Sequence, residues 1–265
     1  MWVDLTGRRA LVTGATRGIG LATALALAAR GARCVLTCGW GGDEDAARAA
    51  FAAIGAPPPL IVQADVSRED DTEELMRQIV AGPGAIDVFV SNVAFGRPAP
   101  ALADLERRDL ERAVGYSAWP LVDYTRRLGA ATGDFPRHVI AVSSFGGERI
   151  TPGYDLIGAA KASLEVLARY LAHRLAPHGV RVNVVRGRWV ATRAFDATFG
   201  PDCAPFLAAR GQLQPAEDIA DAIVALASGL MDGMIGQILA VDGGATFRDN
   251  LMHLYSEARA RGGEG

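Results

Sequence analysis

At 265 residues, half of them apolar and with a formal charge of −3, the chain suits one large α/β domain spanning 1–265 and offers no basic stripe for nucleic acid. Cys34, Cys38 and Cys203 lack paired spacing and the four histidines are dispersed, so neither a disulfide framework nor a metal site is expected. The apolar runs are too short to span a membrane, and Asp4 and Arg8 interrupt the stretch an export signal would occupy, which predicts a cytoplasmic protein.

Short β-rich apolar runs recur along the chain: Ala10 to Thr13, Cys34 to Thr37, Leu60 to Gln63, Val88 to Ser91, Val139 to Ser143, Arg181 to Val185, and Ile238 to Val241. Leu21 to Arg30, Thr72 to Val80, Ala162 to Leu175 and Glu217 to Ala227 lie between them, with apolar residues at helical spacing. This alternation predicts a doubly wound α/β fold, a Rossmann-type parallel sheet of about seven strands covered by helices on both faces. The segment 188–215 is long for a connection and is expected to be a substrate-binding loop. The tail 249–265 is expected to fray.

The first strand runs into Thr13-Gly14-Ala15-Thr16-Arg17-Gly18-Ile19-Gly20 and then into an Ala/Leu-rich helix. Glycines placed there permit a tight turn, close backbone approach to a pyrophosphate and close packing of helix on strand, leaving helix N-terminal amides for the anion.

Taken with Asp65-Val66, Ser91-Asn92-Val93-Ala94, Ser143-Ser144 and Val241-Asp242-Gly243-Gly244 in that order, this loop resembles the short-chain dehydrogenase/reductase pattern. The resemblance covers Leu5 to Thr246. It implies that Gly14, Thr16, Arg17, Gly18, Ile19 and Gly20 cradle a dinucleotide. Asp65 and Val66 would hold the adenine, Asn92 and Ala94 the ribose and nicotinamide side, and Thr192, with Val190 beside it, the carboxamide.

Charge near the ribose 2′ position chooses between NADH and NADPH. The second strand closes with Thr37, Cys38, Gly39 and Trp40, with no acid before Asp43 to repel a 2′-phosphate. Arg17 stands in the glycine loop, where in similar proteins an arginine faces that phosphate. NADPH is the expected cofactor.

Commoner members of the family carry a tyrosine four residues before the active-site lysine. Lys161 has Ile157 there, which cannot transfer a proton. Tyr154 lies seven residues before Lys161, about 700° round a helix and about 10.5 Å along it, so a bound ribose is expected to bridge the two. The fourth-helix asparagine of commoner members falls near Gly115, and their Pro-Gly after the sixth strand is Arg186-Gly187.

Tyr-x6-Lys without that asparagine is similar to the enoyl-thioester reductases of the family, those acting on acyl-carrier-protein or alkenyl-CoA substrates. The resemblance implies hydride delivery to Cβ of an α,β-unsaturated thioester. Tyr154 would donate a hydrogen bond to the thioester oxygen and Lys161 would bind the nicotinamide ribose. Ser144 would add a second hydrogen bond or cap local backbone, and the Cα proton would come from Tyr154 or water.

Phe95, Tyr116, Trp189 and Phe195 are candidates for an acyl pocket. A ketoreductase for a secondary-metabolite carbonyl is the second reading, and a non-catalytic cofactor-binding regulator the third. Small residues Gly158, Ala159, Ala160 and Ser163, on the helix through which relatives associate, predict a homodimer or homotetramer. Acyl carrier protein is a further expected partner.

Overall fold

The computed structural model describes residues 3–39, 41–247 and 250–262. Seven parallel strands, β1 (Arg9–Val12), β2 (Arg33–Cys38), β3 (Leu60–Gln63), β4 (Val88–Ser91), β5 (His138–Ser144), β6 (Arg181–Gly187) and β7 (Ile238–Val241), pair in the order β3-β2-β1-β4-β5-β6-β7. The helices are α1 (Gly18–Ala28), α2 (Glu44–Ala53), α3 (Glu69–Ala81), α4 (Arg107–Ser117), α5 (Trp119–Thr132), α6 (Asp155–Leu175), α7 (Arg193–Phe199), α8 (Cys203–Ala208), α9 (Ala216–Ala227) and α10 (Asn250–Gly262).

Alternation along each strand builds two cores, because successive side chains leave opposite faces of a sheet. Val12, Val90, Ile140 and Val185 pack beneath residues of α1, α2 and α9. Leu11, Phe89, Val139 and Val184 face α3, α5 and α6. Strand order reverses between β1 and β4, and the crevice beyond their carboxyl ends is where such sheets bind ligands. The expected doubly wound fold is the observed one.

Three segments differ from expectation. α6 begins at Asp155, next to the expected start at Tyr154, but Gly153 at φ +74° turns the chain and Tyr154 serves as the N-cap, not as a helical residue. Tyr154 therefore has non-helical backbone, and the two-turn register with Lys161 on one helix face does not describe it.

The segment 188–215 is not irregular throughout. The Thr192 hydroxyl caps α7 by accepting from Phe195 N at 3.1 Å, Gly200 at φ +84° ends it, and α8 follows. The tail expected to fray contains α10, supported by His253–Glu257 at 3.3 Å and tied to the preceding loop by Arg210–Glu257 at 3.6 Å. Residues 249 and 263–265 of that tail lie outside the described residues.

Among the described residues no helix is long and apolar enough to cross a membrane. The small residues of α6 do not form an exposed stripe. Gly158 and Ala160 are buried within the chain, Ala160 against Ala99 and Ala113, leaving Ala159 exposed and Ser163 half-buried.

Candidate active site

A cleft of about 990 Å³ opens at the carboxyl ends of the strands. At one end lies the glycine loop. Gly14 and Gly18 hold φ of +61° and +55°, which side-chain-bearing residues adopt at a cost, and Arg17 enters α1 in extended conformation without a side-chain cap. A Cβ at Gly20 would strike the Gly14 carbonyl and come within 2.7 Å of Asn92 Nδ2.

Asn92 in turn donates from Nδ2 to Thr13 O at 2.9 Å and Gly14 O at 3.3 Å, clamping the loop to the end of β4. Uncapped helix amides behind a glycine turn fit a pyrophosphate. The residues present therefore suit a dinucleotide.

Of the residues singled out in the sequence, Gly14, Arg17, Gly18, Ile19, Asn92, Ala94, Val190 and Thr192 line this cleft. Thr16 and Gly20 are buried behind it, supporting the turn. Asp65 and Val66 do not line it. Val66 is buried in the core beneath α3, and Asp65 accepts from Tyr116 Oη at 2.8 Å and from Ser67 Oγ at 2.7 Å. Hydrogen bonds from Ser67 and Tyr116 hold the Asp65 carboxyl below its ordinary value, outweighing the rise that burial causes.

Beyond β2, Asp43 pairs with Arg193 at 2.6 Å and with Arg17 at 3.9 Å. A second acid lies near the strand's end. Glu44 Oε1 sits 3.2 Å from Cys38 Sγ, and burial, reinforced by that carboxylate, pushes the thiol up to about 12.

At the other end of the cleft Lys161 is buried and donates from Nζ to Val142 O at 2.7 Å. Burial pushes it down to about 8 against the pull of Glu165, one turn later. The Tyr154 ring stacks on Phe199 at 5.8 Å with planes 21° apart, and Gly146 is required there because a Cβ would strike that ring. Burial raises the Tyr154 phenol, opposed by its hydrogen bond with Ser144. The Ser144 hydroxyl also accepts from Gly146 N at 3.3 Å, so it both caps backbone and meets the phenol.

Ile157 is buried, with Gly96 directly against it. Position 157 is thus filled by hydrocarbon. Tyr116 also lines the cleft, but its hydroxyl is held by Asp65.

Trp189, Phe195 and Phe199 form an aromatic wall with ring centroids 5.0–6.1 Å apart. Phe95 packs on Tyr116 at 5.3 Å. Phe199 belongs to the expected 188–215 loop but is not among the acyl-pocket candidates read from the sequence, although its i,i+4 spacing from Phe195 is a usable signal.

Sequence reading also overlooked a buried ion network. Arg186 grips Glu165 with two bonds, 2.8 and 2.6 Å, and reaches Glu148, while Ser143 Oγ donates to Glu165 at 2.7 Å.

Residues 14–246 match the family model described as enoyl-(acyl carrier protein) reductase. The chain is a short-chain dehydrogenase/reductase.

The dehydrogenase/reductase is 31% identical over 244 residues to the 1-cyclohexenylcarbonyl-CoA reductase of Streptomyces collinus, covering 88% of this chain and 85% of that one. It is 36% identical over 246 residues to the cis-4-hydroxycyclohexanecarboxylate dehydrogenase of Sinomonas cyclohexanicum, covering 90% and 96%. The crystal structure of the enoyl-[acyl-carrier-protein] reductase (NADH) from Aquifex aeolicus VF5 superposes with a TM-score of 0.78 at 27% identity, covering 92% and 99%. These relatives include both reductases of activated alkenes and alcohol dehydrogenases, so the site itself must discriminate.

Proposed function

We propose that this oxidoreductase reduces the carbon–carbon double bond of an α,β-unsaturated acyl thioester with NADPH. The observation that carries the reading is the pairing in one cleft of Tyr154 and Lys161, with position 157 occupied by a buried isoleucine. The bound reduced nicotinamide supplies hydride to Cβ.

Tyr154 donates a hydrogen bond to the thioester oxygen as negative charge develops there, and its place at the α6 N-terminus adds a favourable dipole. Lys161 spends one N–H on Val142, leaving two donors for ribose hydroxyls. Ser144 steadies the phenol, and Trp189, Phe195 and Phe199 exclude water from the acyl group. Asn92 and Gly20 hold the loop in the shape that accepts the pyrophosphate.

NADPH is favoured because Arg17 and Arg193 flank the end of β2, and a 2′-phosphate would draw both away from Asp43. The acyl group is carried on CoA or on acyl carrier protein. A homo-oligomer would use the outer face of α6, where Val166 and Tyr170 are exposed, and sedimentation of a monomer alone would exclude it.

The relative named for a hydroxycyclohexanecarboxylate supports a second reading, carbonyl reduction, in which the same phenol protonates an alkoxide. Following NADPH oxidation with crotonyl and acetoacetyl thioesters separates them. Turnover of the crotonyl compound is expected, and turnover of the acetoacetyl compound alone would establish the second reading instead.

A further inference from the structure

The cleft holds more positive charge than hydride transfer needs. Arg17, Arg149, Lys161, Arg188 and Arg193 line it, and among the described residues no aspartate or glutamate does. Arg17 and Arg193 share Asp43 at the glycine-loop end, and Lys161 is moored to β5. Arg149 and Arg188 belong to neither task.

Arg188 follows β6 and precedes Trp189, over whose ring its guanidinium sits at 5.5 Å. Its Nη1 is buried and has no hydrogen-bond partner among the described residues. Nearby Asp242 does not relieve it. That carboxylate spends one oxygen on Gly244 N at 3.0 Å and the other on Thr246 N at 2.9 Å.

Burial lowers the Arg188 pKa, Asp242 opposes the shift from a distance, and like charge on Arg149 adds to it. Arg149 is half-exposed, donates to Thr246 O at 3.3 Å and lies 4.0 Å from Glu148. No described residue accepts from the rest of the Arg188 guanidinium either, and that remainder faces the cleft, where an oxyanion would accept from its planar edge.

We propose that Arg188, with Arg149 at its rim, forms a subsite for an oxyanion carried by the substrate, so that the enzyme selects a negatively charged acyl compound over a neutral one. The dinucleotide does not supply this anion. Its pyrophosphate belongs at the α1 amides and its 2′ end at Arg17 and Arg193. An acyl chain lying along Trp189, Phe195 and Phe199 would bring its charged group to the guanidinium stacked on Trp189. The inference rests on the reading of this cleft as the hydride-transfer site.

Two sources share the chemistry, a carboxylate on the acyl group and the phosphate of a pantetheine carrier. Three probes separate them: crotonyl-N-acetylcysteamine, which is neutral; crotonyl-phosphopantetheine, which carries the phosphate; and glutaconyl-N-acetylcysteamine, which carries the carboxylate. Their affinities are measured by calorimetry for the NADP+-loaded wild-type protein, Arg188→Met and Arg188→Lys, a complex that binds the probes without reducing them, and NADPH oxidation is followed separately.

At least one anionic probe is expected to bind roughly tenfold tighter than the neutral one. That ratio should fall to within about twofold in Arg188→Met and be largely kept in Arg188→Lys, and the probe that gains identifies the source. Wild-type affinities within twofold of one another, no binding of either anionic probe, or an equal loss for all three in Arg188→Met would overturn the proposal. Anion discrimination in binding without NADPH oxidation would instead mark failure of the enoyl-reductase reading.

Discussion

The ammonium of Lys161 donates to the carbonyl oxygen of Val142 across 2.7 Å, so the cleft's buried cation is held by the backbone of β5 and not by Tyr154. The phenol is steadied separately, by Ser144 and by Phe199.

Because burial brings Lys161 down to about 8 while raising Tyr154, the charged lysine is the form lost first as pH climbs. With that charge supporting turnover, kcat/KM should be level below about pH 8 and fall towards tenfold per unit above it. Stability should move the other way. A lysine whose native pKa lies below its usual 10.5 binds fewer protons folded than unfolded between about 8 and 10.5, so its contribution to stability rises with pH through that window. Initial rates from pH 6 to 9.5 beside denaturant midpoints at the same pH values check both slopes. A falling limb that persists unshifted in an active Lys161→Arg variant would assign it to another group.

Tyr154→Phe keeps the ring that stacks on Phe199 and removes the hydroxyl. Turnover of a crotonyl thioester should drop roughly 10²- to 10⁴-fold, the range for a positioned proton donor, with NADPH affinity within about twofold of wild type. Steady-state rates and cofactor titration by nicotinamide fluorescence measure the two. Unchanged turnover would remove Tyr154 from the chemistry.

Arg17→Ala should weaken NADPH binding roughly tenfold and leave NADH little affected, since only NADPH brings a phosphate to that guanidinium. Asp43→Asn should have the opposite effect, freeing Arg17 and Arg193 from a competing carboxylate. Dissociation constants of both dinucleotides for both variants test this. A larger change for NADH than for NADPH would reverse the cofactor assignment.

Arg186→Met leaves the buried Glu165 carboxylate without its two-bonded partner and should cost about 3–5 kcal/mol, read as a lowered denaturant midpoint. The double variant Glu165→Leu/Arg186→Met removes both charges and should regain most of that loss, although Ser143 then lacks the acceptor it now uses. A double variant no more stable than Arg186→Met would show that the pair is not coupled.

The strands were legible because each is a short, nearly continuous apolar run. The bounds expected for β3, β4 and β7 coincide with those observed, β1, β2 and β5 differ by one residue at each end, and β6 runs two residues further. The dinucleotide end was legible for a related reason. Gly14, Gly18 and Gly20 each perform a local backbone task that leaves a fixed spacing in the chain.

What was not legible joins distant residues. Glu165 and Arg186 are 21 positions apart and meet only because α6 packs on β6. The Asp65–Tyr116 bond spans 51 positions, and nothing periodic announces it. The helices α7 and α10 escaped notice because α7 is only seven residues long with Phe195 alone buried, and α10 follows Gly243-Gly244 and is mostly exposed, leaving little amphipathic signal in either.

The packing of Ile157 against Gly96 constrains how this site can diverge. A side chain at position 96 would strike the isoleucine, so that position stays glycine for as long as Ile157 keeps its place. A change at position 96 is thus felt at the start of α6, which ties the segment after β4 to the helix that carries Lys161.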